Sequence, residues 1–252
     1  RSVDEANWIL AIGGVDVQTG VEVGADVTWE ELEARHDALM IGVGLGPDTF
    51  MNLPGKDLCG LYGAVEFIEQ FKLGPVDLSG VTSAAVIGGG NTAMDGVREL
   101  VRLGVPEVTL VYRGTEEVMS GYAHEWKAAK VEGVRAAWKS QPIAFEGEGS
   151  VKRVRCQGLD DTKKPIAGAE HTVDADLVLL AIGQSKLGDL VARLEGVDTE
   201  WGRVVVDEHQ ATGRPGVYAA GDCSNGGKEV VNATAEGKTA AQAIHAYITG
   251  GA

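Results

Sequence analysis

One stretch near the middle of the chain constrains the fold more than any other. Residues 81–87 form a largely apolar run that ends at three consecutive glycines, a helical pattern follows from Asn91 to Leu103, and a second apolar run covers residues 107–112. Gly104, directly after the helical pattern, is typical of a helix C-cap. A strand–helix–strand unit of this length places its two strands parallel, because the helix carries the chain back to the starting end of the sheet. The sequence therefore predicts an α/β fold with a parallel sheet.

The glycine turn of this unit matches a nucleotide-binding fingerprint, Gly88-x-Gly90-x-x-Ala93. The first glycine permits the tight turn, the second lets the backbone approach a pyrophosphate, and Ala93 keeps the helix close to the sheet. The amides at the helix start, around Asn91 and Thr92, are expected to face the phosphates, with the positive end of the helix dipole behind them. The fingerprint alone is a weak signal, and its position between a strand and a helix makes it specific. The alternative is a glycine-rich strand end that binds nothing.

The second strand of the unit ends at Arg113. An NAD site carries Asp or Glu at this point to bind the ribose hydroxyls, and that carboxylate repels the additional phosphate of NADP, whereas an arginine pairs with it. Arg113 therefore favours NADPH. Glu116 and Glu117 follow closely and are expected to weaken this preference, and the alternative interpretation is a solvated arginine at a strand end.

Further elements lie on both sides of the central unit. Helices are expected at 28–35, 62–72, 121–130 and 230–248, and strands at 134–138, 151–157, 171–182, 203–206 and 217–222. Residues 37–46 are expected to form a buried strand that runs into a glycine-rich turn. Thr28 and Glu31 form a capping box at the first of these helices. The pattern before residue 75 returns after residue 183. We therefore expect one domain inserted into another, with 75–183 inside and 1–74 and 184–252 outside.

Composition excludes several classes of protein. The net charge of −15, from 22 basic and 37 acidic residues, repels a phosphate backbone and argues against a nucleic-acid partner. The three cysteines (Cys59, Cys156 and Cys223) have no C-x-x-C spacing and the histidines do not cluster, so we predict neither a redox dithiol nor a metal site. No apolar stretch approaches the ~18 residues of a membrane span and no signal peptide is evident, so we expect a cytoplasmic protein. The chain opens at Arg1 in mid-pattern, which we interpret as a start inside a longer gene product.

A second candidate site lies at the end of the apolar run 217–222. Gly221 would allow a ligand close to the backbone, and Asp222 would offer an acceptor to a hydroxyl such as one on a flavin ribityl chain. A Gly-Asp pair at a strand end is more often a turn or a helix cap.

Five stretches carry a family resemblance that covers nearly the whole chain. They are Val-Ile-Gly-Gly-Gly-Asn-Thr-Ala-Met-Asp at 86–95, Val-Thr-Leu-Val-Tyr-Arg at 108–113, Leu-Ala-Ile-Gly-Gln at 180–184, Gly-Val-Tyr-Ala-Ala-Gly-Asp-Cys at 216–223 and Val-Val-Asn-Ala-Thr-Ala-Glu-Gly-Lys at 230–238. In this order they resemble the flavin-containing electron-entry module of glutamate synthase small subunits and dihydropyrimidine dehydrogenases, a branch of the pyridine nucleotide-disulfide oxidoreductases. The motif at 41–46 is somewhat closer to the dihydropyrimidine dehydrogenase relatives.

The resemblance implies an architecture with two dinucleotide-binding domains. A Rossmann-like NAD(P)H-binding domain (75–183) would be inserted into a partial FAD-binding domain (1–74 and 184–252). Asp222 would contact FAD, and the helix start at Asn232, Ala233 and Thr234 would lie by the isoalloxazine ring, where its positive end would stabilise reduced, anionic flavin. Ala181, Ile182 and Gly183 would lie beside the nicotinamide.

The implied function is electron transfer. A hydride would pass from NADPH to FAD, and electrons would pass on to iron–sulfur centres on an iron–sulfur domain or a large catalytic subunit. The cofactors carry this chemistry, so no catalytic side chain is predicted. The chain departs from the family at Gly114, where a second arginine is usual, and at Ser120, where proline is common. It also lacks the first flavin-binding unit and the cysteine-rich region, which is expected to weaken FAD binding. Two alternatives stay open: an NADP(H)-binding module without flavin, and an interaction subunit whose glycine turns are purely structural.

Overall fold

The computed structural model describes residues 2–185, 187–191 and 193–250. These residues form two compact units, one of residues 46–185 and one of residues 2–45 together with 187–250. One unit is therefore inserted into the other along the chain, and the divisions fall near residues 45 and 185 instead of 74 and 183. The first difference arises because the residues around 61–73 join the inserted unit.

The bounds of the elements are as follows. The helices are α1 (Ser2–Ala11), α2 (Trp29–Arg35), α3 (Ala64–Leu73), α4 (Asn91–Arg102), α5 (Ala123–Val131), α6 (Gly188–Val191), α7 (Asp222–Asn225) and α8 (Val230–Thr249), with a 3-10 turn at Glu116–Val118. The strands are β1 (Leu39–Ile41), β2 (Leu61–Gly63), β3 (Ser83–Ile87), β4 (Glu107–Val111), β5 (Arg135–Ala137), β6 (Ser140–Glu146), β7 (Arg153–Leu159), β8 (Pro165–Asp174), β9 (Leu177–Leu180), β10 (Thr199–Glu200), β11 (Arg203–Val204) and β12 (Val217–Ala219).

A parallel five-stranded sheet organises the unit 46–185. Its order is β2-β9-β3-β4-β5, and every neighbouring pair in it is parallel. The predicted parallel sheet is thus confirmed. Four of the five residues of β3 are buried, as expected for a strand that is covered on both faces.

Different layers cover the two faces of this sheet. Alternate residues of β3, such as Ala84 and Val86, share a core with α3, α4 and α5, whereas Ala85 and Ile87 share a second core with β6 and β7. Successive side chains of a strand point to opposite faces. The helices therefore lie on one face, and the antiparallel sheet β6-β7-β8 lies on the other.

Several element predictions were wrong in this unit. Residues 61–63 pair with β9 instead of starting the helix, which begins only at Ala64. The strand expected at 171–182 is two strands, β8 and β9, because Asp176 leaves the ladder and its carboxylate accepts hydrogen bonds from the amides of Thr82 and Ser83. Strand β6 was not predicted at all.

The other unit contains a smaller sheet. Strands β1 and β12 pair in parallel and β10 and β11 form an antiparallel pair. The predicted capping box of α2 is confirmed, since Thr28 Oγ1 accepts from Glu31 N at 3.2 Å and the Glu31 carboxylate accepts from Thr28 N at 3.0 Å. The strand that was expected to run into a glycine-rich turn is β1, but it is not fully buried, since Met40 within it is 44% exposed. None of the helices that the structure describes is long and apolar enough to cross a membrane.

Candidate functional site

The carboxyl ends of neighbouring parallel strands border a cleft of about 530 Å³. The cleft lies within the unit 46–185, and its walls come from residues that follow β9, β3 and β4 and from the start of β6. Ligands of open parallel sheets bind at this edge, where the strand order reverses direction. The cleft is therefore the first candidate for a nucleotide site.

Two of the three glycines in the turn after β3 are required by the protein's own packing. Gly88 has φ +147°, and a Cβ there would lie 2.2 Å from the carbonyl oxygen of Ala181. A Cβ on Gly89 would lie 2.5 Å from the ring of Tyr112. Only glycine lets these backbones approach so closely. These two positions therefore need no ligand to explain them.

Gly90 is different. Its backbone is extended, with φ −92° and ψ −177°, and a methyl group at this position would have Ser120 Oγ as its nearest neighbour, at 3.8 Å. The protein itself therefore has room for a side chain at Gly90. The absence of one leaves open space at the mouth of the turn, where a ligand could approach the backbone.

The start of α4 faces the same space without a cap. Gly90 is the N-cap residue and makes no side-chain cap bond. Among the hydrogen bonds of the residues in 2–185, none uses the amide of Gly90, Asn91 or Thr92. Free amides at a helix start carry partial positive charge and bind anions. Gly88, Gly90 and Thr92 line the cleft.

Two residues of the predicted nucleotide site, Ala93 and Asn91, do not line the cleft but pack or bond next to it. Ala93 is fully buried in the core under α4 and does not line the cleft. Asn91 does not line it either, because its Oδ1 accepts from Tyr122 N at 3.0 Å and ties the start of α5 to α4. Gly96, also on α4, is buried against the sheet, where a Cβ would make ordinary contacts with Leu179 and Val86 at 3.5 Å.

The glycine turn is held from the far side by Ser120. The carbonyl oxygen of Gly89 accepts from Ser120 Oγ at 3.2 Å and from Gly121 N at 2.8 Å. Ser120 also lines the cleft. Sequence reasoning noted Ser120 only as a departure from the family's proline and gave it no role.

Arg113 follows β4 and lines the cleft with an exposed side chain. No ion pair involves Arg113 within the part of the chain that the structure describes. One of the two acids expected to compete has its own partner, since Glu116 pairs with Lys130 at 2.6 Å. The hydrogen bond from Lys130 lowers the pKa of Glu116.

The missing second arginine has a packing reason. A Cβ at Gly114 would lie 2.7 Å from the ring of Tyr112 and 3.0 Å from Val118. Tyr112 itself lines the cleft and was not predicted. A longer side chain at position 114 would displace this ring, so the chain presents one arginine here.

Ala181, Ile182 and Gly183, which follow β9, also line the cleft. This segment is fixed to the chain after residue 45. Thr49 N donates to the carbonyl of Gly183 at 2.9 Å, and Gly46 N donates to Ser185 at 2.9 Å. Two residues farther along, Met51 lines the cleft as well and was not predicted.

A second, smaller cavity of about 320 Å³ lies in the other unit, beside the start of α8. Asp222, Ala233 and Thr234 line it, as the predicted flavin contacts would require. The strand expected at 217–222 ends at Ala219, and the helix α7 begins at Asp222 itself. One carboxylate oxygen of Asp222, Oδ1, accepts from Lys228 N at 3.2 Å. The other oxygen, Oδ2, makes no hydrogen bond among the described residues.

Gly221 and Asn232 do not line this cavity. Gly221 has φ +79° and donates its amide to Glu236 Oε2 at 3.0 Å, an interaction that sequence reasoning missed. Asn232 Oδ1 accepts from Glu229 N at 3.3 Å, and the backbone amide of Asn232 donates to the Glu229 carbonyl at 2.9 Å. Glu229 is the N-cap residue of α8, so its negative charge lies near the positive end of this helix and offsets the charge that was expected to stabilise a reduced flavin.

Comparison with known proteins identifies the family of this chain. The family model "Pyridine nucleotide-disulphide oxidoreductase" matches residues 4–237. The glutamate synthase [NADPH] small chain of Azospirillum brasilense is 34% identical over an alignment of 263 positions. The alignment covers 95% of this chain and 54% of the Azospirillum protein. The NAD-dependent dihydropyrimidine dehydrogenase subunit PreT of Escherichia coli is 34% identical over 238 residues, with 94% and 54% covered. This chain thus spans about half the length of both relatives.

A solved structure, FprA from Mycobacterium tuberculosis, superposes with a TM-score of 0.73 over 99% of this chain and 72% of that chain, at 19% identity. At that identity the likeness concerns the fold, and it confirms the predicted α/β class. The family match extends over most of the sequence and includes both glycine turns. The chain belongs to the pyridine nucleotide-disulphide oxidoreductase family.

Proposed function

We propose that this chain is the NADPH-oxidising part of a flavoprotein that passes electrons to iron–sulfur centres or to a partner subunit. The chemistry supplied when the cofactors are bound is hydride donation by reduced nicotinamide and hydride acceptance by FAD. The observation that carries the proposal is the uncapped, unobstructed backbone at Gly90, which shares one cleft with Arg113.

The residues present fit NADPH in chemical type. In the proposal, the free amides at Gly90 and Thr92 hold the diphosphate with the dipole of α4 behind them. The guanidinium of Arg113 pairs with the 2′-phosphate of the adenosine ribose. The segment 181–183 orients the nicotinamide, and the backbone bonds to residues 46–49 keep that segment rigid. The contribution of the protein is thus position and charge, with no side chain needed to move a proton.

The flavin part of the proposal is supported by the smaller cavity. The unbonded Oδ2 of Asp222 can accept a hydrogen bond from a ribityl hydroxyl, and Ala233 leaves a small residue beside the turn at Gly221. The names of the relatives, a small chain and a subunit, support a partner polypeptide as the electron acceptor.

The proposal is tested by the pair Gly90→Ala and Gly89→Ala. A methyl at residue 90 meets no protein atom closer than 3.8 Å. The unfolding free energy should therefore stay within about 1 kcal/mol of wild type, because a weaker N-cap and a less flexible unfolded chain oppose each other. The same methyl intrudes where the diphosphate would lie, so affinity for NADPH should fall roughly tenfold or more. Isothermal titration calorimetry and urea unfolding measure the two quantities.

The controls separate binding from folding. Gly89→Ala places a methyl against the ring of Tyr112 and should lower stability by about 1–3 kcal/mol. Gly74→Ala, at an extended residue with no atom within 4 Å, should leave NADPH affinity unchanged and shift the unfolding free energy by no more than about 1 kcal/mol. Wild-type affinity in Gly90→Ala would remove the main support for the nucleotide site. Wild-type protein that binds NADPH but is colourless after incubation with FAD and removal of the unbound FAD would contradict the flavin part of the proposal. The nucleotide part would still stand.

A further inference from the structure

The order of the strands gives the cleft a direction. From β9 through β3 and β4 to β5 there are three strand spacings, or about 14 Å along the sheet edge. Residues 181–183 lie at the β9 end, the glycine turn and Arg113 follow, and residues 140–142 lie beyond them, directly after β5. If the proposed function holds, the nicotinamide is at the first end, and residues 140–142 are left facing the adenosine base.

Ser140 anchors this outer wall. It is the one polar side chain among the described residues that is buried, at 2% exposure, and it lines the cleft. Its Oγ donates to the carbonyl of Trp138 at 2.9 Å and lies 3.0 Å from Nε2 of His171 on β8. Because the single hydroxyl proton is used by Trp138, His171 is the donor in the second bond. The amide of Ser140 also donates to Tyr112 at 3.0 Å, so the wall is fixed to both sheets.

Gln141 follows this anchored serine and has an unused side chain. It is exposed and lines the cleft, and its amide makes no hydrogen bond among the residues that the structure describes. A carboxamide offers a donor and an acceptor side by side, which match N1 and the N6 amino group on the edge of adenine. Pro142, which is buried next to it, adds an apolar surface to the wall.

We propose that Gln141 recognises the base edge of the nucleotide's adenosine half, and that His171, through Ser140, is a positioning residue for this contact. The proposal rests on the proposed function, because it needs a pyridine nucleotide in the cleft. It names the residues that would recognise the adenine base. The glycine turn and Arg113 are proposed to contact only phosphates.

The test combines a change in the protein with a change in the ligand. NADP⁺ and its 1,N6-etheno derivative, in which N1 and N6 are bridged and cannot pair, are titrated calorimetrically into wild type and Gln141→Ala. We expect NADP⁺ to bind Gln141→Ala about threefold to tenfold more weakly, as for one uncharged hydrogen bond, and the etheno derivative to bind both proteins equally. The effects of the Gln141→Ala substitution and of the etheno bridge would then not add, which indicates that Gln141 contacts the base edge directly. Gln70→Ala, an exposed glutamine on α3 outside the cleft, should bind both ligands as wild type does.

Two further variants test the positioning role. His171→Ala should weaken NADP⁺ binding, and His171→Gln, whose Nε2 can still donate to Ser140, should restore most of it. An equal loss for both ligands in Gln141→Ala would overturn base recognition, and unchanged NADP⁺ affinity in His171→Ala would overturn the positioning role. Either outcome leaves the proposed function intact if wild type binds NADP⁺. Failure of wild type to bind NADP⁺ would instead sink the proposed function itself.

Discussion

At the scale of single residues, the proposed preference for NADPH over NADH depends on one guanidinium, that of Arg113. Tyr112 fills the space that a second arginine at position 114 would need, so Arg113 has no neighbour to share its role. The nearby carboxylate of Glu116 is paired with Lys130 at 2.6 Å and competes less for Arg113 than the sequence suggested. In the proposed function, the selectivity for NADPH comes from this one arginine, so a single substitution should remove it.

We therefore expect Arg113→Gln to weaken NADPH binding and to leave NADH binding unchanged. Losing a charge-assisted bond to the 2′-phosphate should lower affinity for NADPH roughly tenfold to a hundredfold. NADH lacks that phosphate and should titrate as it does with wild type. Calorimetric titration of both coenzymes measures the ratio, and Arg102→Gln, at the opposite end of α4, serves as the control. Parallel losses for NADPH and NADH would show that Arg113 does not read the phosphate.

At the scale of elements, β3 and β4 of the parallel sheet could be predicted from the sequence, whereas β6 of the antiparallel layer could not. Strands β3 and β4 are short apolar runs that end at a glycine turn or a charged residue, and local pattern is sufficient for them. Strand β6 begins with Ser-Gln-Pro and is buried only because it pairs with β7 and packs on the sheet. Such tertiary pairing leaves no periodic signal in a single strand.

The candidate site shows the same division. The fingerprint predicted Gly88, Gly90 and Thr92, which all line the cleft, because sequence spacing encodes the backbone shape of this turn. Ser140, Gln141 and Met51 reach the cleft from distant segments, and only the three-dimensional arrangement brings them there. Asn91 lies at the expected position, but its side chain bonds to Tyr122.

Asp176 shows how one carboxylate joins two elements. It lies between β8 and β9 and accepts from Thr82 N at 3.0 Å, from Thr82 Oγ1 at 2.8 Å and from Lys152 Nζ at 2.9 Å. The hydrogen bond from Lys152, followed by those from Thr82, holds the pKa of Asp176 well below its ordinary value. A group with a lowered folded pKa stabilises the protein above its unfolded pKa, and that contribution is lost as the pH falls through the folded pKa.

Asp176→Asn should therefore destabilise the protein at neutral pH and have a smaller effect in acid. We expect a loss of about 1–3 kcal/mol at neutral pH, because the start of β3 loses its charged acceptor. The difference from wild type should shrink as the pH falls below about 4, where the carboxylate of the unfolded chain becomes protonated. Urea unfolding across this pH range measures it, with the exposed Asp174→Asn as the control. A difference that stays constant with pH would mean that Asp176 acts through shape and not through charge.

At the scale of the whole molecule, the three cysteines report separately on the two compact units. Cys59 and Cys156 belong to the unit 46–185, and Cys223 belongs to the other. All three are free, and only Cys59 is exposed. Burial raises the pKa of Cys156 to about 12 and also raises the pKa of Cys223. The thiolate reacts and the thiol does not. Burial therefore protects Cys156 and Cys223 in two ways: it keeps the reagent away, and it disfavours the thiolate.

Titration of the native protein with a chromogenic disulfide reagent near about pH 8 should therefore show one fast thiol. The fast phase should vanish in Cys59→Ser, and all three thiols should react once the protein is unfolded in guanidinium. The slow phases report opening of each core, because Cys156 and Cys223 can react only when the unit around them opens. If NADPH binds in the cleft of the unit 46–185, saturating nucleotide should slow the Cys156 phase and leave the Cys223 phase unchanged. A fast reaction of Cys156 in the absence of denaturant would contradict the packing of β6 and β7 against the parallel sheet.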